Sequence, residues 1–228
     1  MAEKFINSGS QVMIIGRDIN TLKKTTDKLG ANCHSMVCDL SNLSEISKIV
    51  DNIYNVMGGI DVLINNAGIH LKKDLLEVTD DEFQNIILAN QNSVFSISRA
   101  VSKLMVKNGN GVILNISSMA SQYGIPKVIA YTAAKSAIEG MTRAMAVELT
   151  PLGIRVNCIA PGFIKTDMSS KALDNDPERK AKVLGRTPMG RLGLPKEIAN
   201  AAYFLCSDQA SFITGVTLPV DGGNSISF

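Results

Sequence analysis

Short apolar runs of strand character alternate with longer segments of helical period from residue 11 to residue 220. The predicted strands are 11–15, 33–37, 61–64, 111–116, 155–159 and 216–220. The predicted helices are 18–29, 43–57, 80–107, 131–149 and 196–206. This alternation is typical of a parallel sheet, because a crossover must return the chain to the same end of the sheet before each new strand. We therefore predict an α/β fold, a doubly wound parallel sheet in three layers, α/β/α.

The beginning of the chain departs from this plan. Residues 1–8 have helical character and no strand precedes them, whereas a doubly wound sheet ordinarily opens with a strand. We expect the first strand to be lacking, through a start placed too late in the sequence or through a shortened chain. The two strands that would flank it are then expected to close the gap or to lose ladder hydrogen bonds.

Two further features concern the end of the predicted sheet. Pro219 in the last run has no N–H for the middle of a ladder, which predicts that this strand lies at a sheet edge. The polar segment of about 168–191 interrupts the alternation and predicts a lid-like insertion or a solvated surface segment. The length of 228 residues suits one domain that spans 1–228.

Charge and residue usage exclude several classes of function. Lys and Arg number 23 against 21 Asp and Glu, which gives no electrostatic reason to expect a nucleic acid or a membrane as partner. No apolar run of membrane-spanning length and no secretion signal occurs, so we expect a cytoplasmic protein. The four cysteines lack metal-ligand spacing, and no metal is expected.

Tyr131 and Lys135 form the most specific chemical pattern of the chain. They are four residues apart and so share one helix face, and Ser118 lies thirteen residues before the tyrosine, near the end of a predicted strand. A phenol titrates near 10, and a neighbouring ammonium favours its ionised form, so the pair can act as an acid/base at neutral pH. Ser118 could hold a substrate oxygen beside the phenol, and Asn90 could supply an amide that orders a water or the lysine.

Polar or glycine-bearing turns follow three successive strands. The turns are Asn65-Asn66-Ala67-Gly68, Ser117-Ser118 and Pro161-Gly162. In an open α/β sheet the carboxyl ends of the strands border the ligand crevice. The sequence therefore predicts a site at this edge that includes Tyr131 and Lys135.

The order and spacing of these motifs resemble those of the short-chain dehydrogenases/reductases, and the resemblance covers essentially the whole chain. It implies a Rossmann-like fold in which Tyr131 is the catalytic acid/base and Lys135 lowers its pKa and contacts the nicotinamide ribose. It further implies that Ser118 positions the carbonyl or alcohol and that Asn90 supports a proton relay through water. The cofactor-binding residues that it implies are Asp39, Asn66, Ala67, Gly68, Tyr131, Lys135, Pro161, Gly162, Ile164 and Thr166.

Arg17 indicates which dinucleotide is preferred. It follows a predicted strand where relatives that use NAD usually place an acidic residue, and a guanidinium there suits the 2′-phosphate of NADP, with NAD as the alternative. The simpler interpretation is a solvated arginine. The glycine-rich TGxxxGxG turn of the family, which receives the pyrophosphate at a helix N-terminus, has no counterpart in the sequence.

The resemblance predicts an NADP-preferring oxidoreductase that interconverts a secondary alcohol and a ketone. Motifs near residues 186–198 and the ending VDGG are similar to those of gluconate 5-dehydrogenases and of 3-oxoacyl-acyl-carrier-protein reductases. A sugar acid or polyol, such as gluconate/5-ketogluconate, is slightly favoured as substrate. The alternative is that the protein is not an enzyme but a non-catalytic binding or structural subunit. The largely apolar helix 131–149 and the family resemblance together predict a homotetramer.

Overall fold

The computed structural model describes residues 1–166 and 175–227. The strands of this part of the chain are β1 (Val12–Gly16), β2 (Cys33–Val37), β3 (Val62–Asn65), β4 (Gly111–Ile116), β5 (Ile154–Pro161) and β6 (Thr217–Val220). The α-helices are α1 (Ala2–Ile6), α2 (Ile19–Leu29), α3 (Ile46–Met57), α4 (Asp80–Ile87), α5 (Ser93–Asn108), α6 (Ile129–Leu149), α7 (Pro177–Arg186) and α8 (Pro195–Cys206). The six predicted strands are thereby confirmed to within about two residues at each end.

All strand pairs are parallel, but the strands form two sheets. β1 pairs with β2 alone, and the other four strands form a second sheet in the order β3-β4-β5-β6. No ladder joins β1 to β3 among the described residues, so the flanking strands have not closed the gap that the sequence predicted. β6 lies at the edge of the second sheet, as Pro219 predicted.

Helices cover both faces of the larger sheet, which confirms the three-layer Rossmann-like α/β fold. On one face Val50 of α3 and Met105 of α5 pack with Ile113 of β4. On the other face Phe5 of α1 and Leu205 of α8 pack in one cluster with Leu114 of β4. Ile113 and Leu114 are adjacent and both fully buried, as expected for a strand covered on both sides.

The predicted helix 80–107 is interrupted in the structure. Thr79 begins α4 with a capping box, in which its side chain accepts from the N–H of Glu82 and the Glu82 carboxylate accepts from the N–H of Thr79. The turns of Leu88–Asn92 then widen to a π-helix before α5 begins. The sequence predicted one continuous helix here and did not predict the π turn.

The predicted insertion of about 168–191 includes a helix. Residues 177–186 form α7, whose first turn is capped by the Asp176 carboxylate, which accepts from the N–H of Arg179. Residues 168–174 of the predicted insertion lie outside the described residues. In the described parts of the chain, no helix is both long enough and apolar enough to cross a lipid bilayer.

Gly153, just before β5, is the glycine where an added side chain would overlap its neighbours most. It adopts φ +85°, and an added Cβ would lie 2.1 Å from the carbonyl oxygen of Gly109. Gly58 also adopts a left-handed conformation, with φ +75°, but an added Cβ there meets open space. Substitutions at these two glycines therefore distinguish the effect of backbone strain alone from the combined effect of strain and steric overlap.

We predict that Gly153→Ala lowers the free energy of unfolding by more than about 3 kcal/mol, because strain and overlap add. Gly58→Ala is expected to cost only about 1 to 2 kcal/mol, because strain alone acts there. Chemical denaturation of both variants, followed by circular dichroism, measures the difference. Equal losses for the two variants would contradict the close approach of residues 109 and 153.

Candidate active site

A row of buried amide side chains joins the strands just before their carboxyl ends. The Nδ2 of Asn65, at the end of β3, donates to Asn115 Oδ1 in β4 at 2.8 Å and to Ser98 Oγ in α5 at 2.9 Å. Asn115 in turn donates to Thr142 Oγ1 in α6 at 2.9 Å. Buried polar groups are costly when unpaired, so this network fixes β3, β4, α5 and α6 relative to one another.

Lys135 projects from α6 into this strand-end region. Its Nζ donates to the carbonyl oxygen of Ile116, the last residue of β4, at 2.7 Å, and only 4% of the residue is exposed. Burial lowers the pKa of Lys135 to about 8. The ammonium lies 5.6 Å from the centroid of the Tyr131 ring.

The side chains of Tyr131 and Ser118 lie close together. Burial raises the pKa of Tyr131, and the interaction with the Ser118 hydroxyl opposes the rise. The sequence predicted that the Lys135 charge lowers this pKa, whereas in the structure desolvation of the phenol outweighs other effects. The side chain of Ser118 also accepts from the N–H of Ala120 at 3.1 Å, which fixes the loop that follows β4.

Asn90 lies in the π turn and is fully buried. Its carboxamide accepts from the Ile69 N–H at 2.7 Å and donates to the Ile69 carbonyl at 2.8 Å. An added Cβ on Gly68 would lie 2.8 Å from Asn90 Oδ1 and 3.8 Å from Lys135 Nζ. The glycine therefore lets the turn after β3 approach both side chains, and Asn90 holds that turn in place.

Sequence reasoning missed Glu139, which organises the Ser118 loop. Its carboxylate accepts from Ser117 Oγ at 2.9 Å, from Gln122 Nε2 at 2.8 Å and from the hydroxyl of Ser121. Glu139 lies one turn after Lys135, so the spacing YxxxKxxxE could have indicated that it faces the same site. Its contacts bind the loop that carries Ser118 to the helix that carries Tyr131.

His70 lies beside Tyr131, although the sequence motifs did not assign it a role in the site. Its ring centroid lies 4.9 Å from that of Tyr131. Partial burial of the imidazole, together with the charges of Arg179 and Lys72, lowers its pKa. The ring therefore stands beside the phenol as a neutral group at pH 7.

The remaining predicted residues lie at the carboxyl ends of other strands. Arg17 follows β1 and Asp39 follows β2, the two strands of the smaller sheet. Both residues are exposed. Asp18 accepts from the Thr21 N–H at 2.6 Å as the cap of α2. The residues of the two glycine-bearing turns follow β3 and β5, respectively: Asn66, Ala67 and Gly68, then Gly162, Ile164 and Thr166, with Pro161 ending β5.

The Pro161–Gly162 turn packs closely against the end of the chain. An added Cβ on Gly162 would lie 2.6 Å from the Cα of Asp221. Among the described residues, no group of three or more His, Cys, Asp or Glu side chains could hold a metal ion. The chemistry that the site offers is therefore that of a buried phenol, a hydroxyl and a buried amine beside two closely packed glycine turns.

Comparison with known sequences finds close similarity along nearly the whole chain. The sequence profile of the family described as enoyl-(acyl carrier protein) reductase matches residues 1–225. The 3-oxoacyl-[acyl-carrier-protein] reductase FabG of Salmonella typhimurium is 40% identical over 223 residues, which cover 98% of this chain and 90% of that protein.

Solved structures agree with the sequence comparison. A structure described as that of a gluconate dehydrogenase from Agrobacterium tumefaciens has a TM-score of 0.94 and 34% identity, covering 100% of this chain and 91% of that one. The NAD+-bound structure of a xylitol dehydrogenase has a TM-score of 0.92 and 30% identity, covering 97% and 92% of the two chains.

The buried Lys135 predicts a pH-dependent contribution to stability. Its folded pKa is about 8 against an ordinary value of 10.5, so between these values the unfolded chain binds more protons than the folded chain. The contribution of Lys135 to the free energy of unfolding therefore rises with pH across this window. Relative to Lys135→Met, wild-type protein should gain on the order of 1 kcal/mol per pH unit from pH 8 to 10.

Urea denaturation of both proteins at pH 7, 8, 9 and 10 measures this difference. Lys48→Met, which alters an exposed lysine on α3, serves as the control and should keep the wild-type pH dependence. Parallel pH curves for wild type and Lys135→Met would show that Lys135 titrates normally in the folded state.

Proposed function

The chain belongs to the short-chain dehydrogenase/reductase family of NAD(P)-dependent oxidoreductases, and from that premise we propose that it interconverts a secondary alcohol and a ketone. The observation that carries the proposal is the convergence of Tyr131, Ser118 and Lys135 at the carboxyl end of β4. A phenol beside a hydroxyl and a buried amine is suited to exchange a proton with a carbonyl or alcohol oxygen.

The residues at this edge fit the nicotinamide half of a dinucleotide. Gly68 lets the turn after β3 approach Asn90 and Lys135 closely, and Asn66 and Ala67 of the same turn are exposed. We propose that Lys135 and Tyr131 bind the ribose of the nicotinamide and that 161–166 border its ring. Asp39 would contact the adenine. When bound, NAD(P)H supplies a hydride to the substrate carbon, and NAD(P)+ accepts one.

Tyr131 supplies the proton that balances the hydride. In the direction of reduction its phenolic proton moves to the carbonyl oxygen, so a ketone, one hydride and one proton give the secondary alcohol. In the direction of oxidation the phenolate takes the proton of the alcohol back. Ser118 donates a hydrogen bond to the same oxygen, which places the substrate carbon for the reaction.

Lys135 supports the phenolate electrostatically. With a pKa of about 8 it is mostly an ammonium at pH 7, and its charge lies 5.6 Å from the ring centroid. The charge favours the phenolate that remains after proton transfer, and so offsets the cost that burial imposes on it. Asn90 holds the turn of Gly68 through Ile69. We propose that it also supports a relay that returns the proton through a water.

Two substrate classes are supported by different relatives. The similarity to a structure described as a gluconate dehydrogenase supports a sugar acid or polyol, such as gluconate/5-ketogluconate. The 40% identity to a 3-oxoacyl-[acyl-carrier-protein] reductase supports a 3-oxoacyl thioester. A panel that contains both classes of substrate distinguishes them by kcat/KM.

We further propose a homotetramer in the cytoplasm. On the face formed by α5 and α6, Phe95 and Val147 are 48% and 78% exposed, an apolar surface that a second copy of the chain would cover. Cys33, Cys38 and Cys158 are buried free thiols, which suit a reducing compartment.

The proposal predicts that Tyr131→Phe abolishes most turnover without unfolding the protein. Removal of the proton donor should lower kcat by roughly 10² to 10⁴ on any substrate that the wild type turns over. Circular dichroism should show that the fold is retained. Fluorescence titration with NADPH should show that the variant still binds the cofactor, weakened by no more than the loss of one hydrogen bond to the ribose. Tyr203→Phe, on α8, is the matched control and should keep wild-type kcat.

The alternative to an enzyme is a non-catalytic binding subunit. It would bind its partner equally well as wild type and as Tyr131→Phe, and neither protein would reduce a ketone. Ketone reduction that persists in Tyr131→Phe would contradict the assigned role of the phenol.

We also propose that Arg17 selects NADP over NAD. Arg17→Ala should raise the KM for NADPH by about tenfold or more and change the KM for NADH little, because only NADPH carries the 2′-phosphate. Lys23→Ala, an exposed residue of α2, removes the same charge nearby and is the control. Equal effects of Arg17→Ala on the two cofactors would refute the selection.

A further inference from the structure

A cavity of about 420 Å³ lies between α7 and the loop that leads into the Tyr131 helix. Its walls come from the segment after β3, from the loop 123–127, from Phe163 after β5, from α7 and from the C-terminal segment. Cavities of this size hold small organic ligands. The loop and the turn that form it are continuous with those that hold Tyr131 and Gly68.

Cationic side chains outnumber acidic ones on the cavity wall. The basic residues are Lys72, Lys127, Arg179, Lys182 and Arg186, against the acidic Asp176 and Glu178. Asp176 is engaged as the cap of α7. The excess of positive charge faces a space large enough for a substrate.

Two of the five cations already have partners in the fold. Lys127 forms an ion pair with Asp74 at 2.8 Å. The Arg186 guanidinium stacks 4.0 Å from the centroid of the Tyr123 ring and donates to the Asn224 carbonyl at 3.1 Å. These contacts fix the cavity wall and compensate the two charges.

The other three cations, Lys72, Arg179 and Lys182, have no such compensation. Within residues 1–166 and 175–227, no carboxylate lies at ion-pair distance from any of them. Glu178 on the same wall forms no ion pair with them in this part of the chain, so positive charge remains in excess. Like charges collected on one wall repel one another, and a bound anion would relieve that repulsion.

His70 connects these cations to the reacting group. The charges of Arg179 and Lys72 act on its imidazole, and its ring packs 4.9 Å from that of Tyr131. His70 therefore packs beside the phenol and lies within the electrostatic range of two residues of the cationic wall. A substrate whose oxygen reaches Tyr131 would extend its remaining atoms along this wall.

We propose that the substrate carries an anionic group, a carboxylate or a phosphate, remote from its reacting carbonyl, and that Lys72, Arg179 and Lys182 bind this group. The proposal rests on the proposed function and narrows its substrate class. A carboxylate would come from a sugar acid, and a phosphate from the pantetheine arm of a 3-oxoacyl thioester. Charge-assisted hydrogen bonds to the anion would place the carbonyl at Tyr131.

Two matched substrate pairs test the anionic group. Gluconate is compared with glucitol, which replaces the carboxylate by a hydroxymethyl group. Acetoacetyl-phosphopantetheine is compared with acetoacetyl-pantetheine, which lacks only the phosphate. We expect kcat/KM to favour the anionic member of one pair by about tenfold or more, mainly through KM, and the pair that responds identifies the source of the anion.

Charge-neutral variants test the residues. The double variant Arg179→Gln/Lys182→Gln should remove the preference for the anionic member and leave the neutral member unchanged. Lys48→Gln, which removes one exposed charge on α3, is the control and should behave as wild type. Equal turnover of both members of each pair by wild type would overturn the proposal.

A binding measurement separates this proposal from the proposed function. Calorimetric titration with gluconate and with phosphopantetheine needs no turnover. Binding that the double variant loses, without any ketone reduction by wild type, would support the anion site and refute the oxidoreductase activity of the chain. Absence of binding by both compounds would overturn the anion site even if neutral ketones are reduced.

Discussion

The hydrogen-bonding requirement of the buried amide side chains near the ends of β3 and β4 determines where the other side chains of the site lie. Asn65 and Asn115 lie where two parallel strands are covered on both faces, so their side chains can be satisfied only by one another and by the covering helices. The bond from Asn115 to Thr142 extends this requirement to α6. The position of α6, and with it that of the phenol and amine that it carries, is thereby set by hydrogen bonds inside the sheet.

Most of the fold could be predicted because its signals are local. The apolar runs of β2 and β4 coincide with the observed strands, and Pro219 identified a sheet edge. The spacing of Tyr131, Lys135 and Ser118 identified side chains that the structure brings together. Family resemblance further assigned Asn90, but the π turn in which it lies and its contact with Ile69 were not predicted.

The features of the site that the sequence did not predict depend on distances between segments that are far apart in the chain. Glu139 gathers donors from a loop seventeen to twenty-two residues away, and charge alone does not distinguish it from a solvated glutamate. The pKa of Tyr131 follows from how deeply the helix packs, because burial of the phenol raises it. The cationic wall similarly combines Lys72 with residues of α7 that lie more than a hundred positions later.

The separation of β1 and β2 from the larger sheet also determines what joins the two sheets. Ladder hydrogen bonds do not cross from β1 to β3 in the described residues, so side-chain packing such as that of Ile15 against the core connects the two sheets. Apolar packing is less directional than a hydrogen-bonded ladder. A ligand that spans both sheets would therefore add directional contacts where, within the described residues, packing joins them.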